Sequence, residues 1–131
     1  MTDSQAGGNP INSDPVLFPE ILGNSTQDQG VVFSLRIPED LSYFDGHFDE
    51  ISVVPGVVQI QWAVFYAQQC LGLSGSFEHM EVIKFKELLL PGQRLQLSLC
   101  YAEALGKLTF CYRSETTEYS SGRIYFHDTP V

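Results

Sequence analysis

The chain has 131 residues, 44% of them hydrophobic and 12% aromatic, and a formal net charge of −9 at pH 7. This length and composition indicate one folded domain with a sizeable core and exclude a disordered chain. The acidic balance argues against nucleic-acid binding, and no apolar run approaches the roughly 20 residues of a membrane-spanning helix.

The N-terminal stretch, MTDSQAGGNPINSDP, is polar and lacks the basic start and apolar centre of a secretory signal. We expect residues 1–15 to be a disordered lead and residues 16–131 to form a single domain. The cysteines Cys70, Cys100 and Cys111 show no paired spacing, which is typical of free thiols in a reducing cytoplasm. No metal-ligand spacing occurs, so we expect a cytoplasmic protein without metal or other cofactor.

The segments before the motif region predict one early strand. VLFPEIL (16–22) is a short apolar element that could be helix or strand, and NSTQDQG (24–30) has the composition of a turn. VVFSLRI (31–37) is rich in β-branched and aromatic residues, which predicts a strand that ends before Pro38. Residues 41–54 predict irregular structure.

One helix is predicted over about residues 56–71, opened by the Pro55-Gly56 step and closed by Gly72 in the C-cap role. The helix carries no charged residue and has no broad polar face. Its polar members are Gln59, Gln61, Tyr66, Gln68 and Gln69. A surface helix would carry a charged stripe, so this pattern predicts a buried helix.

The rest of the chain predicts four strands. They cover residues 79–90, 93–102, 107–116 and 119–127. RLQLSLCY (94–101) alternates strictly between apolar and polar positions, as a strand with one buried face does. Because the connections PG, EALG and TTE are short, we predict that the four strands form an antiparallel meander.

The predicted helix and strands together define a fold class. A helix without a polar face must be covered on all sides, so the sheet has to curve around it. Its last uncovered side needs a partner, most simply a second copy of the molecule. We therefore predict an α+β fold, with a curved antiparallel sheet wrapped around one central buried helix, and a dimer.

Several sequence motifs resemble a known family. YFDGHF followed by PGVVQIQWA, together with the later IKFKELLLPGQRLQL and YSSGRIYF, is similar to the hotdog-fold 3-hydroxyacyl-[acyl carrier protein] dehydratases. The motifs are nearest to the dehydratase-like variant associated with aryl polyene clusters. The resemblance covers roughly residues 16–127 and implies the hotdog fold, in a pathway of fatty acid or polyene biosynthesis.

The resemblance implies a reaction and its residues: removal of water from a 3-hydroxyacyl thioester to give a trans-2-enoyl thioester. His47 would be the base, since histidine has an unperturbed pKa of about 6.5. The Gly56 N–H, at a helix N-terminus, would stabilise the charge that develops on the thioester oxygen. Phe48, Pro55 and Val57 would contact the substrate.

The sequence departs from the family at Gln61. The family carries Asp or Glu fourteen positions after the motif histidine, where this chain has the amide. An amide cannot deliver a proton to the departing hydroxyl, and acid–base assistance is typically worth about 10²–10⁴-fold. We therefore expect reduced activity, unless Asp45, Asp49 or Glu50 beside His47 supplies the proton.

Two other functions stay open. The hotdog fold also hosts acyl thioesterases, in which a glutamine can position the hydrolytic water, although this helix offers no carboxylate. The second is a non-catalytic acyl-binding subunit that completes a heterodimer with an active dehydratase. In the family, the histidine and the helix acid of one site come from different chains. The resemblance implies acyl carrier protein or acyl-coenzyme A as the partner, and a homodimer or a heterodimer with another hotdog protein.

A candidate surface for the carrier protein consists of Lys84, Lys86 and Arg94. Lys84 and Lys86 alternate on a predicted strand and therefore share a face. Carrier proteins are acidic, and so is this chain, so docking would need a local basic patch. The alternative is that these residues form a solvated strand edge that resists aggregation.

Overall fold

The structure is a computed structural model that describes residues 14–44 and 52–128. One α-helix and one six-stranded sheet form the described fold. They are β1 (Glu20–Gln27), β2 (Gly30–Arg36), α1 (Gly56–Cys70), β3 (Ser76–Phe85), β4 (Arg94–Ala102), β5 (Lys107–Arg113) and β6 (Glu118–His127). The strand order is β1-β2-β4-β5-β6-β3, and every neighbouring pair is antiparallel. The predicted α+β hotdog architecture is confirmed.

The predicted helix is confirmed to within one residue. Pro55 precedes it in an extended conformation, with φ −59° and ψ 147°, and Gly56 is the first helical residue. At the other end the Leu71 N–H donates to the Ala67 carbonyl, and Gly72 follows in the left-handed region at φ +70°. This arrangement is the expected glycine-terminated helix end.

The core lies between α1 and one face of the sheet. The alternation predicted for β4 is present, since Leu95, Leu97 and Leu99 are all buried. From the helix, Trp62 and Ala63 pack into the same cluster. Burying a side chain of leucine size stabilises the fold by about 1.5–3 kcal/mol, so this contact holds the helix on the sheet.

The predicted four-stranded meander is wrong in one connection. β4, β5 and β6 do follow one another as antiparallel neighbours, but β3 pairs with β6 at the opposite edge of the sheet. The chain leaves β3 after Phe85 and crosses the end of the sheet, so that the Gly92 N–H donates to the Ile37 carbonyl at 2.7 Å. The Pro91-Gly92 step therefore starts a strand beside β2 and does not close a hairpin with β3.

The segment before β2 also differs from the prediction. The turn predicted over residues 24–30 is confined to Asp28 and Gln29, because β1 continues to Gln27 and pairs with β2. The apolar element predicted at 16–22 divides in two. Its last residues belong to β1, which begins at Glu20, and Leu17 and Phe18 before them contact α1.

One face of α1 is uncovered in the single chain. Val57, Gln61 and Phe65 lie four residues apart along the helix, and all three are exposed, Val57 by 62% and Phe65 by 37%. Residues with this spacing share one side of a helix. The sheet thus covers only part of the helix that the sequence predicts to be buried. In the described part of the chain, no helix is long and apolar enough to cross a membrane.

Candidate functional site

The structure describes the part of the predicted site that lies on the helix. His47 and Phe48 lie outside the described residues, as do Asp45, Asp49 and Glu50. The geometry that follows therefore concerns the beginning of α1, the groove beside it and the strands that border both.

Gly56 begins α1 at a point where the backbone is crowded. The Val58 and Gln59 N–H groups both donate to the Pro55 carbonyl, at 3.0 and 3.1 Å. The Gly56 N–H precedes these bonds and finds no acceptor among the residues that the structure describes. A Cβ at Gly56 would lie 2.6 Å from Cζ of Phe85, so a larger residue here would displace this ring. Within the described residues the helix start thus presents a donor of the kind that stabilises a developing negative charge.

An apolar groove of about 260 Å³ runs along α1 and begins at Ile60, one turn after Gly56. Gln61 lines it, and its other walls come from α1, β3 and β6. They include Val64, Phe65, Phe77, Met80, Ile124 and Phe126. The groove is suited to an aliphatic or aromatic chain, and within the described lining Gln61 and Gln68 are the polar members.

Two irregularities in β3 direct its large apolar side chains toward α1, where Phe77 and Met80 line the groove and Phe85 lies against Gly56. Phe77, Met80 and Phe85 all face the helix side, yet their spacings are three and five residues. A regular strand would place such residues on alternate faces. The register of β3 against β6 shifts between Phe77 and His79 and again between Glu81 and Lys84, and each shift restores the inward direction.

A buried glutamine that the sequence did not single out lies on the core side of the helix. Gln59 is 3% exposed, and Ser120 Oγ donates to its Oε1 at 2.6 Å. The Tyr112 hydroxyl donates to the Gln59 backbone carbonyl at 2.7 Å, and burial raises the pKa of Tyr112 well above its ordinary value. The signal in the sequence was the amide itself, at a position of an uncharged helix where an apolar residue would pack equally well.

The other predicted site residues are placed as follows. Pro55 is half-buried at the helix start, and Val57 is exposed on the same side of α1 as Gln61. Lys84 lies at the sheet edge, and Lys86 follows β3 and forms a 3.1 Å ion pair with Glu118.

The structure does not bring Arg94 to these lysines. It lies on β4, and β5 and β6 separate it from β3. The hydrogen bond from Lys86 is the main cause that lowers the pKa of Glu118, against a smaller opposing effect of burial. Lys84 and Lys86 are thus near each other, and Arg94 belongs to another part of the sheet.

Comparison with known proteins shows that the chain is similar to dehydratases. The family model described as ApeI-like, ApeI dehydratase, matches residues 23–123. The 3-hydroxyacyl-[acyl-carrier-protein] dehydratase FabZ of Rhizorhabdus wittichii is 26% identical over 103 residues, which are 72% of this chain. The matched part is 66% of that protein, slightly less than two thirds of its length.

Solved structures show the same similarity. The dehydratase heterocomplex ApeI:P from Xenorhabdus doucetiae matches with a TM-score of 0.76 and 33% identity, over 82% of this chain and 96% of the other. An uncharacterized protein from Erwinia carotovora subsp. atroseptica matches with a TM-score of 0.74 and 33% identity, over 85% and 97%. Thioesterase superfamily member 2 from Mus musculus, at a TM-score of 0.61 and 11% identity over 80% and 85%, shares the fold alone.

Proposed function

The chain belongs to the ApeI-like dehydratase family of hotdog proteins, and from this premise we propose that it binds 3-hydroxyacyl thioesters and removes water from them to give trans-2-enoyl thioesters. The observation that carries the proposal is the Gly56 N–H at the start of α1, which has no acceptor among the described residues and precedes by one helical turn an apolar groove of about 260 Å³. The groove would hold the acyl chain and the N–H would receive the thioester oxygen.

The reaction needs three groups, and the family motif supplies two of them in this chain. His47 would take a proton from C2, and the Gly56 N–H would stabilise the enolate-like oxygen that results. The third group must protonate the hydroxyl that leaves C3. Gln61 occupies the groove wall where the family carries an acid, and the groove lining among the described residues has no titratable side chain.

The amide at position 61, together with a described groove lining that has no carboxylate, favours a second form of this function, in which the chain is one half of a heterodimeric dehydratase. Val57, Gln61 and Phe65 form an uncovered stripe on α1, and β3 is an unpaired edge of the sheet beside it. Another hotdog protein on this side would cover the stripe and could supply the acid. The similar structure from Xenorhabdus doucetiae is itself a dehydratase heterocomplex. A homodimer would cover the same stripe but would bring a second Gln61.

The test is to incubate the purified chain with a 3-hydroxyacyl-acyl carrier protein and to follow the enoyl product, in parallel with Gln61→Asp. An active parent that His47→Ala inactivates supports the dehydratase. An inactive parent with an active Gln61→Asp variant supports the non-catalytic half. Release of free thiol from the acyl carrier protein would instead identify an acyl thioesterase. Failure of both proteins to bind or convert the substrate would refute an acyl-thioester site.

A further inference from the structure

Gln59 and Ser120 are the buried polar residues of the described core, and they are hydrogen-bonded to each other. A buried amide costs free energy unless its polar groups are satisfied, and a methionine would fill the same space without that cost. Here the amide is satisfied on both sides: its Oε1 accepts from Ser120 at 2.6 Å, and its Nε2 donates to the Val54 carbonyl at 3.1 Å.

The Val54 carbonyl connects this hydrogen-bond network to the start of α1. Val54 immediately precedes the Pro55-Gly56 step, and its own N–H donates to the Leu89 carbonyl at 2.9 Å. Both polar groups of Val54 are therefore fixed, one of them by Gln59. The peptide that carries the Gly56 N–H is held through its own carbonyl, that of Pro55, which accepts from the Val58 and Gln59 N–H groups. Proline has a restricted φ, so fixing Val54 holds the other side of this peptide. Gln59 therefore acts on its orientation through both its backbone N–H and its side chain.

Ser120 is also connected to Gly56, through its neighbours on the two adjacent strands. Ser120 lies opposite Tyr112 in one strand pair and opposite Phe85 in the other. The Tyr112 hydroxyl donates to the Gln59 carbonyl at 2.7 Å, and the Phe85 ring covers Gly56. Gln59 thus connects the segment before Gly56 with the strands whose register places the ring over it.

We propose that Gln59 is a positioning residue: it holds the Val54–Gly56 backbone so that the Gly56 N–H is directed at the thioester oxygen. This inference rests on the proposed function. Hydrogen-bond donors stabilise a developing charge only when they are fixed in advance, and a misplacement of about 1 Å can cost about 10²-fold in rate. The buried amide makes directional hydrogen bonds to Val54 and Ser120, which an apolar side chain of the same size could not make.

The experiment follows the carbonyl of a bound thioester. A saturated acyl-pantetheine thioester with a ¹³C-labelled carbonyl lacks the hydroxyl and does not react, so infrared difference spectra of the full chain report the hydrogen bond from Gly56. We expect the carbonyl band to shift to lower frequency in the parent and in Gln69→Met, an exposed glutamine of the same helix. In Gln59→Met we expect most of the shift to be lost. With a 3-hydroxyacyl substrate, kcat should fall by about 10- to 100-fold while KM stays within about twofold.

A second variant covers the case in which Gln59→Met does not fold. A neutral carboxyl at this position in Gln59→Glu can donate to Val54 and accept from Ser120, and burial raises its pKa above the usual value of about 4.3. The band shift should therefore be present at acidic pH and disappear as the carboxyl ionises.

The outcomes separate the two proposals. A full, pH-independent shift in a folded Gln59 variant would overturn the positioning role and leave the acyl-thioester site intact. No band shift and no turnover in the parent would overturn the site itself, and the positioning role with it.

Discussion

The ring of Phe85 lies directly against the backbone of Gly56, so that a Cβ on the glycine would be 2.6 Å from Phe85 Cζ. Phe85 is the last residue of β3 and is 51% exposed, while Gly56 is the first residue of α1. This contact joins the edge strand to the start of the helix where we place the thioester oxygen. It also gives a physical reason for glycine at this position, at which φ is not in the left-handed region.

We expect Gly56→Ala to lower the free energy of unfolding by about 1 kcal/mol. Overpacking usually costs about 1–3 kcal/mol, and the half-exposed Phe85 ring can move aside to reduce this. In the Phe85→Ala background the same change should be neutral or slightly stabilising, since alanine has the higher helix propensity. Urea unfolding of the four proteins in a double-mutant cycle measures the coupling.

Gly23→Ala is the matched control, because a Cβ at Gly23 would have nothing within 4 Å. Equal costs for Gly56→Ala with and without the Phe85 ring would show that the ring is not what restricts the glycine.

Because the hydroxyl of Tyr112 is buried, the free energy of unfolding depends on pH in the alkaline range. Burial raises the pKa of Tyr112 well above 10 and that of Tyr66 to about 12. Between the unfolded value of about 10 and the folded value, the unfolded chain binds fewer protons, so stability falls as pH rises. We expect the free energy of unfolding to be independent of these groups below pH about 10 and to decrease above it.

Tyr112→Phe tests this dependence. At neutral pH it should cost about 1 kcal/mol, because the hydrogen bond to the Gln59 carbonyl is lost. Above pH 10 the decline should become shallower than in the parent, by at most about 1.4 kcal/mol per pH unit. Identical slopes in urea titrations of the two proteins would contradict the assignment to Tyr112.

Trp62 ties the segment before β1 to the helix. Its Nε1–H donates to the Leu17 carbonyl at 2.9 Å, and the Phe18 and Phe65 ring centroids lie 4.8 Å apart. Losing a hydrogen bond of about 1 kcal/mol raises the open population about fivefold. We therefore expect Trp62→Phe to speed chymotrypsin cleavage after Leu17 about fivefold under native conditions, since Pro19 blocks cleavage after Phe18.

Cleavage within β4 serves as the internal control for this measurement, because it requires opening of the sheet. If both sites become more sensitive by the same factor, the tryptophan stabilises the whole fold and does not tie down the segment.

Carrier-protein docking at the edge strand can be tested with Lys84→Glu. Lys84 forms no ion pair among the described residues, whereas Lys86 is paired with Glu118. Charge reversal at Lys84 should weaken binding of an acidic carrier protein about 3- to 10-fold at low salt, mainly through slower association. Arg94→Glu is the comparison, since two strands separate it from β3. Unchanged affinity of Lys84→Glu for the carrier protein in a titration would contradict docking at this edge strand.

The local features of this fold could be predicted because they depend on near neighbours in sequence. Pro55-Gly56 and Gly72 mark the ends of α1, and the strict alternation in Arg94–Ala102 identifies its buried face. The absence of charge on α1 predicted a covered helix, although the single chain leaves one stripe open. Spacing also related His47 and Pro55-Gly56 to a dehydratase motif, and the family model matches the same region.

Only the tertiary structure decided which strand borders the groove and which glutamine enters the core. The pattern of Ser76–Phe85 is compatible with either neighbour, and its two register shifts depend on pairing with β6, some 40 residues later. Gln59 and Gln61 look alike on a helix without a polar face. Tyr112 and Ser120 surround one of them with hydrogen-bond partners, and the other faces the open groove. The sequence by itself determined the elements and the motif, because these arise from local propensity and spacing. The site's buried support was decided by contacts between residues more than 50 positions apart in the chain.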